Sequence, residues 1–309
     1  MKKNTALFEK LPLELAVELQ RMPIEVQDQL QEIRIKIGHP ILLYAGNKEY
    51  ILKRSADSKV DKEYINNVCN CILNHSVYAH QHDLANGFVT IEGGHRVGFC
   101  GRAVMENGIV STLTNITSLN IRKSRQIPGI SEPYYSYLTS KEGHFYNTIL
   151  ISPPKCGKTT MLRDLIRNLS GHGFKVGVCD ERSEIAGFDH FGASFDLGTR
   201  TDVLDSCPKE KAMIMLIRSM APDIIATDEI GKEADYDAIY SAITAGVGLL
   251  TTIHGNSYED LLRSQAKKFI ESGIFQRILY LGNYPRIGTV KKITDEKNQI
   301  LYSGERSIV

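Results

Sequence analysis

Three short stretches of the chain carry residue types suited to phosphate chemistry. The first is Ser152-Pro153-Pro154-Lys155-Cys156-Gly157-Lys158-Thr159-Thr160, which follows an apolar run and opens a helical pattern. A loop in that setting aims backbone N–H groups and a helix N-terminus at phosphate oxygens. Lys158 is then placed to reach β- and γ-phosphates, and the Thr159 hydroxyl to ligate Mg²⁺. Pro153, Pro154, Lys155, Cys156, Gly157 and Thr160 complete the expected cradle. Ser152 stands where the usual pattern has its first glycine. A chance Gly-Lys-Thr at a helix start is the bland alternative, and the strand-loop-helix context weighs against it.

The second stretch, Asp223-Ile224-Ile225-Ala226-Thr227-Asp228-Glu229, is an apolar strand ending in two carboxylates. A nucleotide hydrolase needs one carboxylate for the metal and one to orient or deprotonate the attacking water. Asp228 suits the first role and Glu229 the second; a buried strand with a solvated acidic end is the competing reading. The third stretch is Val176-Gly177-Val178-Cys179 followed by Asp180-Glu181-Arg182-Ser183-Glu184. Ligands of a parallel sheet collect beyond the carboxyl ends of its strands. Asp180, Glu181 and Glu184 are therefore expected to face the same phosphates as Lys158. Thr251-Thr252-Ile253-His254 ends a further strand. Alone, His254 reads as a packing or capping histidine; with the other strand ends converging it becomes a candidate γ-phosphate sensor.

Such residues converge only if the strands lie side by side, and the second half has that rhythm. Strands are expected at Asn147–Ile151, Lys175–Cys179, Asp223–Thr227 and Val247–Ile253. Helices fall between and after them at Lys158–Leu169, Pro208–Met220, Glu233–Ala245 and Tyr258–Ser272. This alternation predicts crossover units and a largely parallel sheet, an α/β domain. Short strands come last, at Ile278–Leu281, Ile287–Ile293 and Ile300–Tyr302.

The first half reads as α+β and strand-rich. Helices are expected after Pro12, with Leu15, Leu19 and Met22 on one face, and after Pro23, with Val26 and Leu30. Ile33, Ile35 and Ile37 alternate with charged residues as in a half-buried strand. Pro40–Tyr44 and Tyr50–Leu52 pair through Gly46-Asn47, and Asp61 caps a helix whose face carries Ile65, Val68 and Ile72. A two-residue hairpin is expected at Gly93-Gly94 and another at Asn107-Gly108, with Leu119 and Ile121 on a last strand. Pro128, Gly129, Pro133 and Gly143 break all pattern, which gives domains at 1–125 and 145–309 joined by a linker at 126–144.

Composition narrows the function classes. With 309 residues, 42% hydrophobic and 24% charged, the chain has the balance of a globular protein and can bury two cores. A net charge of +1 argues against a general electrostatic grip on nucleic acid or anionic lipid. No apolar run approaches the roughly 20 residues of a membrane-spanning helix, and the start lacks a signal-peptide pattern. The six cysteines lack framework spacing and fit reduced thiols of an intracellular protein. Cys69, Cys71, His75, His80 and His82 match no common zinc spacing, so no metal cluster is expected there. Cys100, Cys179 and Cys207 read as packing residues, and Cys156 as a small side chain in the loop. The basic run Arg122-Lys123-Ser124-Arg125 has no interleaved aromatic residues of the kind that grip nucleic acid.

Taken in order, Ser152–Thr160, the Asp180–Glu184 box, Arg218 to Gly231 and Thr251–His254 resemble the secretion and pilus-motor ATPases. The matches Gly198–Leu204, Arg218-Ser219-Met220, Gly94–Gly98 and Ser118–Arg122 look more closely like the sporulation stage III AA family within that group. The resemblance covers nearly the whole chain and is weakest over about the first 80 residues. It implies a RecA-like P-loop domain behind a smaller N-terminal domain, with ATP and Mg²⁺ as cofactors and a homo-hexameric ring. It also implies a cytoplasmic ATPase of the mother cell, peripheral at the inner face of the membrane. There it would energise the membrane proteins of a secretion-like channel to the forespore during endospore formation. Two departures from the pattern stand out: Lys155 where that family has glycine, and Asp228 where pilus motors have glycine before glutamate. The second leaves the water-activating carboxylate open between Glu229 and the Asp180–Glu184 box.

Phosphoryl transfer in such motors also needs a guanidinium, often from a neighbouring subunit. Arg96, Arg102, Arg122 and Arg125 are the candidates in the first half, with Arg102 and Arg122 favoured; Arg200 and Arg218 could act within one subunit. A nucleotide-gated scaffold with negligible turnover, or a pilus or secretion motor outside sporulation, is the alternative function. A nucleic-acid translocase is disfavoured by charge and by the lack of a base-stacking cluster.

Overall fold

The computed structural model describes residues 5–46, 48–52, 59–74, 76, 80–124, 126–189, 192–230, 233–284 and 286–304. Asn47, His75, Arg125 and Gly231 lie outside these residues, as does the side chain of His82. The chain forms two compact units, one running up to Ser124 and including Gly187–Ser194, the other covering the rest. The stretch expected as a linker, 126–144, groups with the second unit and carries a 3-10 turn at Glu132–Tyr134.

In the first unit, α1 (Thr5–Glu9), α2 (Leu13–Gln20) and α3 (Ile24–Gln29) precede β1 (Leu30–Lys36), β2 (Ile41–Ala45) and β3 (Lys48–Leu52). Then come α4 (Lys62–Ile72), α5 (Gln81–Ala85), β4 (Phe88–Ile91), β5 (His95–Glu106) and β6 (Ile109–Arg122). Among the described residues the strands make a six-stranded antiparallel sheet, ordered β3-β2-β1-β6-β5-β4. Asp61 caps α4 by accepting the Tyr64 N–H at 2.7 Å. The stripe Ile65, Val68 and Ile72 is buried with Ile33 and Ile35 of β1 in one apolar core. Each such side chain contributes about 1.5–3 kcal/mol by leaving water.

Three local expectations are corrected by the structure. Leu30 opens β1 opposite Ala45 rather than continuing α3, because the sheet register outweighs helical spacing. The β4–β5 turn has three residues, Glu92-Gly93-Gly94, since Ile91 pairs with His95. Cys100 is exposed on β5 instead of packing. The Asn107-Gly108 turn holds: Glu106 pairs with Ile109, and both turn residues have positive φ, 52° and 79°. His95 is buried and accepts the Ser124 N–H at Nδ1, 3.0 Å away. Burial, with the Lys123 charge, lowers its pKa to about 4.

The second unit contains α6 (Tyr135–Leu138), β7 (Thr148–Ser152), α7 (Lys158–Gly171) and β8 (Val176–Asp180). The pair β9 (Phe188–Asp189) and β10 (Gly192–Ala193) is next in sequence but belongs to the first unit. Then come β11 (Thr201–Asp205), α8 (Lys209–Met220), β12 (Ile224–Glu229), α9 (Glu233–Thr244) and β13 (Gly248–His254). The chain continues with α10 (Tyr258–Arg263), α11 (Lys267–Glu271), β14 (Arg277–Gly282), β15 (Thr289–Thr294) and β16 (Ile300–Ser303). The sheet order is β11-β8-β12-β13-β7-β14-β15-β16, parallel through β14 and antiparallel beyond it. No sequence pattern marks the edge strand β11, whose residues are all half-exposed and so show no alternation. The helix expected over Tyr258–Ser272 breaks at Ser264, whose hydroxyl accepts the Ala266 N–H at 3.1 Å and restarts the turn as α11.

Ala212, Met213 and Leu216 of α8 and Ala238 and Ile239 of α9 bury with Ile149, Ile225 and Leu249 of the sheet. Helix α7 is unusual in burying polar groups, namely Arg163, Asp164, Asn168 and Ser170. Asp164 accepts N–H bonds from Gly129 and Ser131, the Ser131 hydroxyl, and the Arg167 guanidinium at 2.8 Å. Those bonds hold residues 129–131 onto α7.

Candidate functional site

The loop between β7 and α7 has the backbone its sequence suggests. Gly157 is the N-cap of α7 with φ 84° and no side-chain cap, so the first-turn N–H groups lack intrahelical acceptors. A Cβ on Gly157 would lie 3.0 Å from Ile287 and 3.1 Å from the Gly288 nitrogen. Glycine is thus required here for both conformation and space. Lys155 also sits in the left-handed region, at φ 62°, which is the physical reason a glycine would be at ease there. Holding lysine in that conformation costs roughly 1–2 kcal/mol. Cys156 is buried, as a small side chain in the cradle.

Lys158 donates to the Ser152 carbonyl at 3.0 Å and lies 2.6 Å from His254 Nδ1. His254 Nε2 in turn stands 3.2 Å from the Glu229 carboxylate. Glu229 ends β12, His254 ends β13 and Lys158 comes after β7, and these three strands are adjacent in the sheet. The parallel order therefore lines the three groups up. Burial lowers the Lys158 pKa to about 8, against the attraction of Glu229.

Asp228 is reached by a backbone device. Ala226 pairs with Leu250 and Glu229 with Thr252, so β12 carries one residue more than β13 over this span, a bulge at Thr227-Asp228. The Thr251 hydroxyl donates to the Asp228 carbonyl at 2.8 Å, opposite the bulge. Burial pushes the Asp228 carboxyl above its usual range, with Lys209 opposing. No motif singles out Lys209, since a lysine opening a helix reads as solvated. Its ammonium sits 2.8 Å from Asp228 Oδ1 and 3.7 Å from Glu181 Oε2, and it bonds the Glu229 carbonyl.

The acidic box divides. Asp180 does not face outward with Lys158 as expected; it is fully buried and accepts the N–H groups of Glu184, Ile185 and Ala186 at 2.8–3.0 Å. The chain can turn back this way because Ser183 adopts φ 53°. Arg163, also buried, donates to the Glu184 and Ile185 carbonyls and stacks on Phe195 at 3.7 Å. Asp180 thus builds the loop that presents Glu181 and Glu184. Glu181 meets Lys209, and the Glu184 charge raises Asp228 further.

Thr159 and Thr160 occupy the first turn of α7, beside Lys158. Arg102 and Arg122 are exposed residues on β5 and β6 of the first unit, and Arg96 there stacks on Phe88 at 3.5 Å. Arg200 bonds the Ser170 carbonyl at 3.1 Å, a structural role. Among the described residues no group of three or more His, Cys, Asp and Glu side chains could by itself hold a metal ion. None of the helices there is long and apolar enough to cross a membrane.

The site fits a magnesium nucleotide on its own geometry. An uncapped helix start behind a glycine suits phosphates, and a buried carboxylate already matched to a cation suits a divalent ion.

Comparison with known proteins agrees with this architecture. The chain resembles the ATPase DotB of Legionella pneumophila with a TM-score of 0.59 and 14% identity, over 93% of this chain and 81% of that one. It resembles the pilus retraction motor PilT, solved with bound ADP, with a TM-score of 0.56 and 15% identity, over 94% and 84%. Those likenesses establish the fold alone, the α/β fold that this chain shares with these two proteins. In sequence, the chain is 39% identical over 302 residues to the stage III sporulation protein AA of Bacillus subtilis, covering 96% of both chains. The family model described as sporulation stage III, protein AA matches residues 1–301. The chain therefore belongs to the stage III sporulation protein AA family.

Proposed function

We propose that this chain hydrolyses ATP with Mg²⁺ and uses the turnover to energise a secretion-like membrane channel between mother cell and forespore. It would work at the cytoplasmic face of the membrane, as a homo-hexamer bound to the channel's membrane proteins. The observation that carries the reading is the run Lys158–His254–Glu229 across three adjacent strand ends, with Asp228 beside it. The backbone of Pro153–Gly157 would cradle phosphates, and Lys158 would bridge the β- and γ-phosphates. Thr159 and Asp228 would hold the metal, which supplies charge neutralisation on the phosphate oxygens. Glu229 would orient and deprotonate the attacking water. His254, hydrogen-bonded toward both Lys158 and Glu229, would report phosphate occupancy to that carboxylate. Arg102 or Arg122 of a neighbouring subunit would stabilise charge on the transferred phosphoryl.

The test is steady-state ATPase activity of the purified protein against protein concentration, with and without single-stranded DNA. We expect activity to rise faster than linearly as rings form, with no response to DNA. Lys158→Ala should abolish it with the fold intact, and mixing that chain with Arg102→Ala or Arg122→Ala should restore part of it. ATP binding without turnover would replace the motor with a nucleotide-gated scaffold. Strictly linear activity with no rescue in any mixture would remove the shared site.

A further inference from the structure

Lys209 is placed against local electrostatics. It is the first residue of α8, where the helix dipole disfavours a cation, and it is only 7% exposed. Burying an ammonium is costly unless its protons are matched. The group bonds Asp228 Oδ1 at 2.8 Å and the Glu229 carbonyl, and the Glu181 carboxylate adds an ion pair at 3.7 Å. Among the described residues, Asp228 Oδ1 is buried and has no hydrogen-bond partner apart from this ion pair. One carboxylate oxygen thus depends on one lysine.

We propose that Lys209 is a tethered counter-cation of Asp228, which a divalent ion must displace, so that this side chain sets how much Mg²⁺ the site demands. The inference rests on the nucleotide-binding reading above. An ammonium and Mg²⁺ would compete for the same carboxylate, and their mutual repulsion at that distance disfavours both being held there at once. Without nucleotide, Lys209 keeps the carboxylates of Asp228 and Glu181 compensated. When Mg²⁺ arrives with nucleotide, the ammonium gives up Asp228 and retains Glu181 and the Glu229 carbonyl. A mere structural pin between α8 and β12 would use the carbonyl bond and be indifferent to Mg²⁺.

Two measurements on the full chain test this. The first is thermal melting without nucleotide in MgCl₂ against NaCl of equal ionic strength. Wild type should show no magnesium-specific shift, whereas Lys209→Met should gain several degrees from Mg²⁺ and lose that gain when combined with Asp228→Asn. The second is binding of a fluorescent ADP analogue as Mg²⁺ is titrated. The half-saturating Mg²⁺ should fall at least about tenfold in Lys209→Met and stay near wild type in Lys209→Arg. If Lys209→Met does not fold without the ion, Lys209→Gln still donates to the Glu229 carbonyl and reads the same two quantities. An unchanged or higher magnesium requirement in the uncharged variants, without a magnesium-specific melting shift, overturns the proposal. Wild type that binds no nucleotide at any Mg²⁺ would instead remove the nucleotide reading, while the melts still report on Lys209.

Discussion

The ends of β8 and β12 look alike in sequence and do different work. Each is an apolar strand closing on Asp-Glu, Cys179-Asp180-Glu181 in one and Thr227-Asp228-Glu229 in the other. After β8 the chain bends back at Ser183, and three N–H groups converge on Asp180. After β12 the ladder continues: Ile230 donates to Thr252, which leaves the Glu229 carboxylate half-exposed beside His254. The first aspartate organises backbone, and the second, on a bulge, holds a cation. The path of the backbone beyond a strand end decides whether its carboxylate binds backbone N–H groups or a side-chain cation.

The largest effect should separate the two glutamates. Glu229→Gln keeps shape but loses the charge proposed to orient and deprotonate water, so turnover should fall about 10²–10⁴-fold while ATP stays bound. Glu181→Gln and Glu184→Gln should stay within about tenfold of wild type. Single-turnover assays with labelled ATP distinguish them, and a trap in either acidic-box variant would reverse the assignment.

Stability should single out the other strand end. Asp180→Ala orphans three N–H groups, those of Ile185 and Ala186 buried and that of Glu184 partly so, and we expect a loss of about 3 kcal/mol or more in urea unfolding. A loss under about 1 kcal/mol would mean water replaces the carboxylate.

Asp180 also predicts a pH dependence. Burial outweighs its hydrogen bonds and raises the carboxyl from 3.8 to about 7 in the folded state. The folded form therefore holds this proton more tightly than the unfolded form. The resulting stability is fully present below about pH 4 and is lost as pH rises through about 7. Denaturation of wild type against Asp180→Asn should show the wild type's advantage shrinking across that window, by on the order of 3–4 kcal/mol. An advantage independent of pH would place the proton elsewhere.

The smallest effect concerns the turn itself. Ser183→Gly relieves a left-handed residue, worth about 1 kcal/mol, but gives up a 2.6 Å bond to Asp205. The two nearly cancel, so the unfolding free energy should move by less than about 1 kcal/mol. A far larger loss would make the Asp205 bond, rather than Asp180, the anchor of the loop.

By itself the sequence determined the alternation of strands and helices in the second half. It also determined the strand-loop-helix junction at Gly157-Lys158-Thr159 and the strand ends bearing Glu229 and His254, because periodicity and turn chemistry are local properties. The capping of α4 by Asp61 and the Asn107-Gly108 hairpin were legible for the same reason. Only the tertiary structure decided which carboxylates turn inward. Asp180 and Asp228 occupy equivalent places in the pattern, and their difference lies in a left-handed serine and a one-residue bulge set by pairing with β13. Lys209 was invisible for a related reason: nothing near it in sequence calls for a cation. Its partners, Glu181, Asp228 and the Glu229 carbonyl, come from two other strand ends that only the parallel sheet brings together. Charge compensation in a buried site is a sum over neighbours in space, and a linear chain does not list them.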